Sequence, residues 1–287
     1  MRLAGAAAAL LLVALAFTWW STRLLPFPAC GLHAGPCSVA LGQYSAVLPK
    51  GATPPFPAVL YLHGSKGAGS RFIAREDLTR LATGRGFAVL APDGLDMVYS
   101  SGVFSGWSLT HSPGPGRDEE SFLNAVLADA EARLEIDRSD VLVMGHSRGG
   151  FLVWELACAR SGLGTAYAAV SATFWGPPPP RCQPGGAPML HLHGLRDPGV
   201  PIEGRILADG RVMITPAEAA ISLVKSAASC AAASAETRTL SGGGTWRGWP
   251  ACGAGPALVQ MQLPGGHAFN RRRFDLALDW FEALPRQ

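Results

Sequence analysis

A serine framed by glycines, an aspartate in a later turn and a histidine behind two further glycines are the residues of this chain best suited to acyl transfer. The serine is Ser147 in Gly145-His146-Ser147-Arg148-Gly149-Gly150, which follows Asp140-Val141-Leu142-Val143-Met144 and opens a helix-compatible stretch. Glycines two before and two after Ser147 let a strand turn sharply into a helix, with the serine at the bend and the positive end of the helix beside it. A serine hydroxyl is a poor nucleophile at neutral pH. It needs a neighbouring base, an acid to orient the base, and donors for the oxyanion.

Chain order selects the partners. Where a strand-to-helix elbow carries the nucleophile, the acid and then the histidine follow, each at the carboxyl end of a strand. His267, in Pro264-Gly265-Gly266-His267 just past Leu258–Leu263, is the expected base. Asp197, in the turn His193-Gly194-Leu195-Arg196-Asp197-Pro198, is the expected acid, ahead of Asp209 further down a loop. The oxyanion donors are expected to be the backbone amides of Arg148, fixed by the elbow, and Ser65, in the loop after Ala58–Leu62. Gly64 to Ser70 superficially suggests a phosphate loop but lacks its Gly-Lys-Ser/Thr ending. His191 and His193 share a strand face as a metal pair would, yet no third ligand is near, and the cysteines lack metal-ligand spacing. Neither a metal nor a cofactor is expected.

The elements that must hold these residues are short apolar runs alternating with longer periodic ones. That rhythm predicts an α/β fold with a mostly parallel sheet and helices on both faces. Strands are expected at Ala58–Leu62, Phe87–Ala91, Val141–Met144, Tyr167–Ala172, Met189–Leu192 and Leu258–Leu263, with one or two earlier ones between Val39 and Leu48. Helices are expected between Ser70 and Thr83, between Glu119 and Leu134, and from Gly149 to Ala159. Thr215-Pro216-Ala217-Glu218 carries a helix start, and Asn270 precedes the apolar face Phe274, Leu278, Phe281. Gly94 to Arg117 reads as a long structureless loop after a strand end, where Tyr99, Phe104 and Trp107 are expected to cover substrate.

With 287 residues the chain can bury one sizeable core, and Lys+Arg 24 against Asp+Glu 21 is too mild a balance to call for nucleic acid or an anionic membrane. Arg271-Arg272-Arg273 reads as the solvated start of the last helix. Residues 1–29 differ in kind: Arg2, an uncharged run from Leu3 to Trp20, then Arg23, without a good cleavage site. They read as a signal peptide or a retained anchor, ahead of a catalytic domain over 30–287, so any membrane attachment is expected through this segment alone. The expected location is outside the cytoplasm: periplasmic, secreted or anchored facing outward. Six cysteines fit an oxidising compartment. Cys30 and Cys37 are close enough for a local staple, while Cys158 reads as a small core residue.

Taken together, Leu62-His63-Gly64, Ala91-Pro92-Asp93-Gly94, the Ser147 elbow, the Asp197 turn and Gly265-Gly266-His267 resemble the α/β-hydrolase group of secreted polyhydroxybutyrate depolymerases and feruloyl esterases, from about Pro57 onward. The resemblance implies Ser147 as nucleophile, Asp197 as acid and His267 as base. It also implies that Cys230 and Cys252, the latter in Trp249-Pro250-Ala251-Cys252, form that group's late cysteine pair. Two departures stand out: Arg148 replaces the asparagine common after the nucleophile, and a cysteine pair near Trp107 is missing. The expected activity is hydrolysis of short acyl, aryl (feruloyl-like) or hydroxyalkanoate esters through an acyl-enzyme. Since no linker or second module follows His267, a soluble ester is expected over an insoluble polymer. The alternatives are a serine peptidase of the same fold and a non-catalytic binding protein built on it.

Overall fold

The structure is a computed structural model that describes residues 30, 35–99, 102–112, 116–185, 187–228, 234–249 and 258–285. The expected leader over residues 1–29, and Cys230 and Cys252, lie outside the described residues. Among the described residues, no helix is long and apolar enough to cross a membrane.

In chain order the elements are β1 (Cys37–Val39), β2 (Gly42–Val47), β3 (Phe56–Leu62), α1 (Gly69–Ile73), α2 (Glu76–Thr83), β4 (Ala88–Pro92), β5 (Leu95–Tyr99) and β6 (Gly102–Gly106). Then come α3 (Glu119–Leu134), β7 (Ile136–His146), α4 (Arg148–Ala159), β8 (Ala166–Val170), β9 (Met189–Gly194), β10 (Arg205–Ile206) and β11 (Val212–Ile214). The last are α5 (Ala217–Ala227), β12 (Glu236–Thr239), β13 (Thr245–Trp249), β14 (Leu258–Leu263) and α6 (Arg271–Glu282).

One ten-stranded sheet runs β1-β2-β4-β3-β7-β8-β9-β14-β13-β12. From β4 to β14 every neighbouring pair is parallel, while β1, β2, β13 and β12 add antiparallel edges. Strands buried on both faces need apolar residues throughout, which is why β3, β4 and β8 read as unbroken runs such as Phe-Pro-Ala-Val-Leu-Tyr-Leu. Alternate residues feed two cores. Ala58, Leu60, Leu62, Val141 and Val143 meet α3, α4 and α5, whereas Val59, Tyr61, Leu142 and Met144 meet α1, α2 and α6.

Several local expectations change. The stretch Gly94 to Arg117 is not structureless, because β5 and β6 pair as an antiparallel hairpin from Leu95↔Gly106 to Tyr99↔Gly102. The helix expected between Ser70 and Thr83 is split into α1 and α2 around Ala74 and Arg75. β8 stops at Val170 because Ser171 turns to φ 52°, a left-handed conformation that ends pairing. The glycines Gly242 to Gly244 form the turn between β12 and β13. Pro216 occupies the cap of α5, and the Thr215 hydroxyl donates instead to the Gly176 carbonyl at 2.8 Å. Cys158 is not a lone core thiol: it is bridged to Cys182, and Cys30 is bridged to Cys37 as expected. Arg273, read as part of a solvated run, is buried with 3% of its surface exposed.

Candidate active site

Ser147 sits between β7 and α4 with φ 53° and ψ −118°, a strained backbone for any residue with a side chain. The flanking glycines make the bend possible. A Cβ on Gly145 would lie 2.3 Å from the Gly149 carbonyl oxygen, and one on Gly149 would lie 2.1 Å from that of Leu62. Only hydrogen fits at either place. The Ser147 amide donates to the Val170 carbonyl at 2.9 Å, fixing the bend to β8.

Asp197 follows the end of β9, and His267 follows the end of β14, so parallel strands deliver all three side chains to one rim of the sheet. His267 Nε2 is 2.9 Å from Ser147 Oγ, and His267 Nδ1 is 2.8 and 2.9 Å from the two Asp197 oxygens. An ionised carboxylate only accepts, so Nδ1 carries the proton and Nε2 is left to accept from the serine hydroxyl. Burial alone would push the Asp197 carboxyl up, but the Val200 amide, His267 and the Ser171 hydroxyl together hold it below the usual carboxylate range. The competing carboxylate, Asp209, is exposed and paired with Arg211 at 2.7 Å.

His191 and His193 are core residues of β9. Val200 O accepts from His193 Nε2 at 2.7 Å, His193 Nδ1 then accepts from His191 Nε2 at 2.9 Å, and His191 Nδ1 faces the Gln260 amide at 3.3 Å. Burial lowers the pKa of both imidazoles. This neutral chain ends on Val200, whose amide donates to Asp197 Oδ1 at 2.9 Å, so it braces the acid turn. Among the described residues no group of three or more His, Cys, Asp or Glu could hold a metal.

The loop after β3 is pinned from several sides. His63 Nδ1 donates to the Gly64 carbonyl at 2.8 Å, and His63 Nε2 accepts from the Gly94 amide at 3.0 Å. The amides of Lys66 and Gly67 donate to Ser105 and Gly64 carbonyls, whereas that of Ser65 has no acceptor among the described residues. Arg148 opens α4, and its side chain leaves the rim: Nε donates to the Trp107 carbonyl at 2.8 Å and Nη2 to Ser112 Oγ at 2.6 Å.

Of the three aromatics expected to cover substrate, Trp107 must be corrected. It is fully buried, and its indole N–H donates to the His63 carbonyl at 2.7 Å, so it supports the loop that carries Ser65. Phe104 is half-buried under the Lys66 ammonium, 3.9 Å from its ring centre. Tyr99 lies at the far end of β5, its backbone paired with Gly102. A cavity of about 940 Å³ runs along α4, walled by Leu109, Leu152, Glu155, Phe174, Trp175 and Pro177; neither Ser147 nor His267 lines it.

Two residues that the sequence did not single out complete the surroundings. Ser171 lies close enough to Asp197 to help hold its carboxyl low, and buried Arg273 donates to Ser171 Oγ and to the carbonyls on either side of His267. His146, between Gly145 and Ser147, donates from Nε2 to the His267 carbonyl at 2.7 Å.

Solved structures with the same arrangement of elements include an acetyl xylan esterase from Aspergillus awamori (TM-score 0.58, 16% identity, 84% of this chain and 94% of that one) and a Bacillus cereus carboxylesterase (TM-score 0.54, 15% identity, 85% and 94%). The fold is that of the α/β-hydrolases. No protein-family model matches the chain. Among curated relatives, the protein named "Putative esterase NocK" from Nocardia uniformis is 28% identical over 177 residues, 60% of this chain and 46% of that protein. Feruloyl esterase C from Emericella nidulans is 28% identical over 111 residues, 38% of each. The chain thus spans less than half the length of these relatives.

Proposed function

We propose that this protein is a serine carboxylic-ester hydrolase in which Ser147 is the nucleophile, His267 the general base and Asp197 the acid that orients it. The observation that carries this reading is the continuous line of contacts from Asp197 through His267 to Ser147 Oγ, at 2.8 and 2.9 Å, beside a strained elbow. His267 Nε2 takes the hydroxyl proton as Oγ attacks the ester carbonyl, and the Arg148 and Ser65 amides receive the oxyanion. The imidazolium then gives its proton to the departing alcohol, leaving an acyl-serine. Water, deprotonated by the same imidazole, releases the acid and restores the hydroxyl. No step needs a cofactor.

Names carried by the relatives, esterase and feruloyl esterase, support ester rather than amide substrates. Short acyl, aryl or hydroxyalkanoate esters in solution are the proposed class, with Phe104 and Tyr99 on the hairpin as the aromatic contacts. Two disulfides support work in an oxidising compartment, with residues 1–29 serving as export signal or anchor. The test is labelling by a fluorophosphonate with turnover of p-nitrophenyl acetate. Ser147→Ala should lose the label and reduce turnover by roughly 10⁴ to 10⁶. Full turnover by the variant would rule out Ser147 as nucleophile.

A further inference from the structure

Arg273 is an expensive residue to bury. A guanidinium removed from water loses its hydration, and a leucine or methionine would fill the same space without that loss. Among the described residues no carboxylate bonds it directly, and burial lowers its pKa from the ordinary arginine value. Its donors go elsewhere. Nη2 reaches the Gly266 carbonyl at 2.6 Å, and Nη1 reaches the Ala268 carbonyl at 2.8 Å and Ser171 Oγ at 3.0 Å. The two carbonyls flank His267, and Ser171 helps hold the neighbouring Asp197 carboxyl low.

Two neighbours are shaped to admit the guanidinium. At Gly194, the last residue of β9, a Cβ would lie 2.5 Å from Arg273 Nη2, so any side chain there would displace it. Ser171 holds φ 52° immediately after β8, and its amide donates to the Leu192 carbonyl at 2.8 Å, a turn that brings its hydroxyl oxygen to Arg273 Nη1.

We infer that Arg273 is a positioning residue for the base: its planar fork fixes the peptide on both sides of His267 and ties it to Ser171 at the end of β8. The inference rests on the esterase reading above. A planar fork with fixed donor directions serves two carbonyls and a hydroxyl at once; a lysine ammonium keeps the charge but not that geometry. Small misplacements of a catalytic group cost rate steeply. The charged and titratable groups facing the acid–base pair are His146 from β7, His193 from β9 and Arg273 from α6.

The experiment compares Arg273→Lys, Arg273→Gln and Ser171→Ala in the full chain. Readouts are kcat and KM on p-nitrophenyl acetate per fluorophosphonate-titrated site, and the Tm. Arg273→Lys is expected to lower kcat about 10- to 100-fold with KM nearly unchanged. Arg273→Gln should lose as much, because its amide cannot span the two carbonyls and the hydroxyl. Ser171→Ala, a small deletion, should keep the Tm and lower kcat roughly 3- to 10-fold. A purely structural arginine would lower only the Tm. Wild-type kcat per titrated site in both Arg273→Lys and Ser171→Ala overturns the proposal, and Ser171→Ala alone decides it if the arginine variants do not fold. Failure of the wild-type protein to label at Ser147 would instead overturn the esterase reading.

Discussion

Replacing Asp197 by asparagine changes one atom's chemistry and almost none of its shape, so the cost can be worked from the partners. Three donors converge on this carboxylate: the Gly199 and Val200 amides at 3.0 and 2.9 Å on Oδ1, and His267 Nδ1. An ionised carboxylate accepts all three, whereas asparagine offers a single acceptor oxygen and an NH₂ that can only donate. With the oxygen kept on the two amides, the NH₂ faces His267 and forces Nδ1 to accept. The imidazole proton then moves to Nε2, which points it at Ser147 and can no longer take the hydroxyl proton. Turnover should drop roughly 10³- to 10⁴-fold, about 4–5.5 kcal/mol of transition-state stabilisation. Turnover of p-nitrophenyl acetate, corrected by active-site titration, measures this, with Asp209→Asn as control because Asp209 touches only Arg211 at an exposed loop. An Asp197→Asn enzyme within tenfold of wild type, or a large loss in the Asp209 variant, refutes the tautomer argument.

Two further outcomes follow from the same geometry. Burial pushes the His146 pKa down from 6.5 to about 4, so its neutral form contributes stability that is complete above pH 6.5 and is lost as pH falls from there through about 4; the full span is worth roughly 3 kcal/mol. Denaturant titrations at pH 7 and pH 4 should therefore show His146→Asn losing about that much less than wild type, and equal losses would discredit the burial argument. Gly149→Ala places a methyl 2.1 Å from the Leu62 carbonyl oxygen, and calorimetry should record a destabilisation of about 3 kcal/mol, a fall in Tm of roughly 6–12 °C.

Much of the rim could be read from the chain because its constraints are local. Gly145 is demanded by the Gly149 carbonyl within the bend itself, Gly149 by the end of the neighbouring strand β3 at Leu62, and the positions of Asp197 and His267 follow from strand ends that short apolar runs announce. What escaped was decided by tertiary packing. Arg273 stands in a run of three arginines and looks solvated; only the approach of α6 to the ends of β8 and β9 buries it. Trp107 looked like a substrate contact because its neighbours are glycine and serine, yet its N–H is consumed by the His63 carbonyl. The β5–β6 hairpin was hidden for a related reason: its strands are short and carry Val98 and Val103 facing outward, 78% and 58% exposed, so burial leaves no periodic trace in the sequence.

That hairpin is anchored toward its base. Gly94 is tied to His63, Ser105 to Lys66, and the Trp107 carbonyl to Arg148, while the described residues farther along, Val98 and Val103, face solvent. Substitutions in its outer half therefore leave the acid, the base and the elbow undisturbed, and natural selection is free to rewrite it. Descendants of one ancestral enzyme would keep the strand ends nearly unchanged and diverge in this arm, acquiring new substrates without reinventing the chemistry.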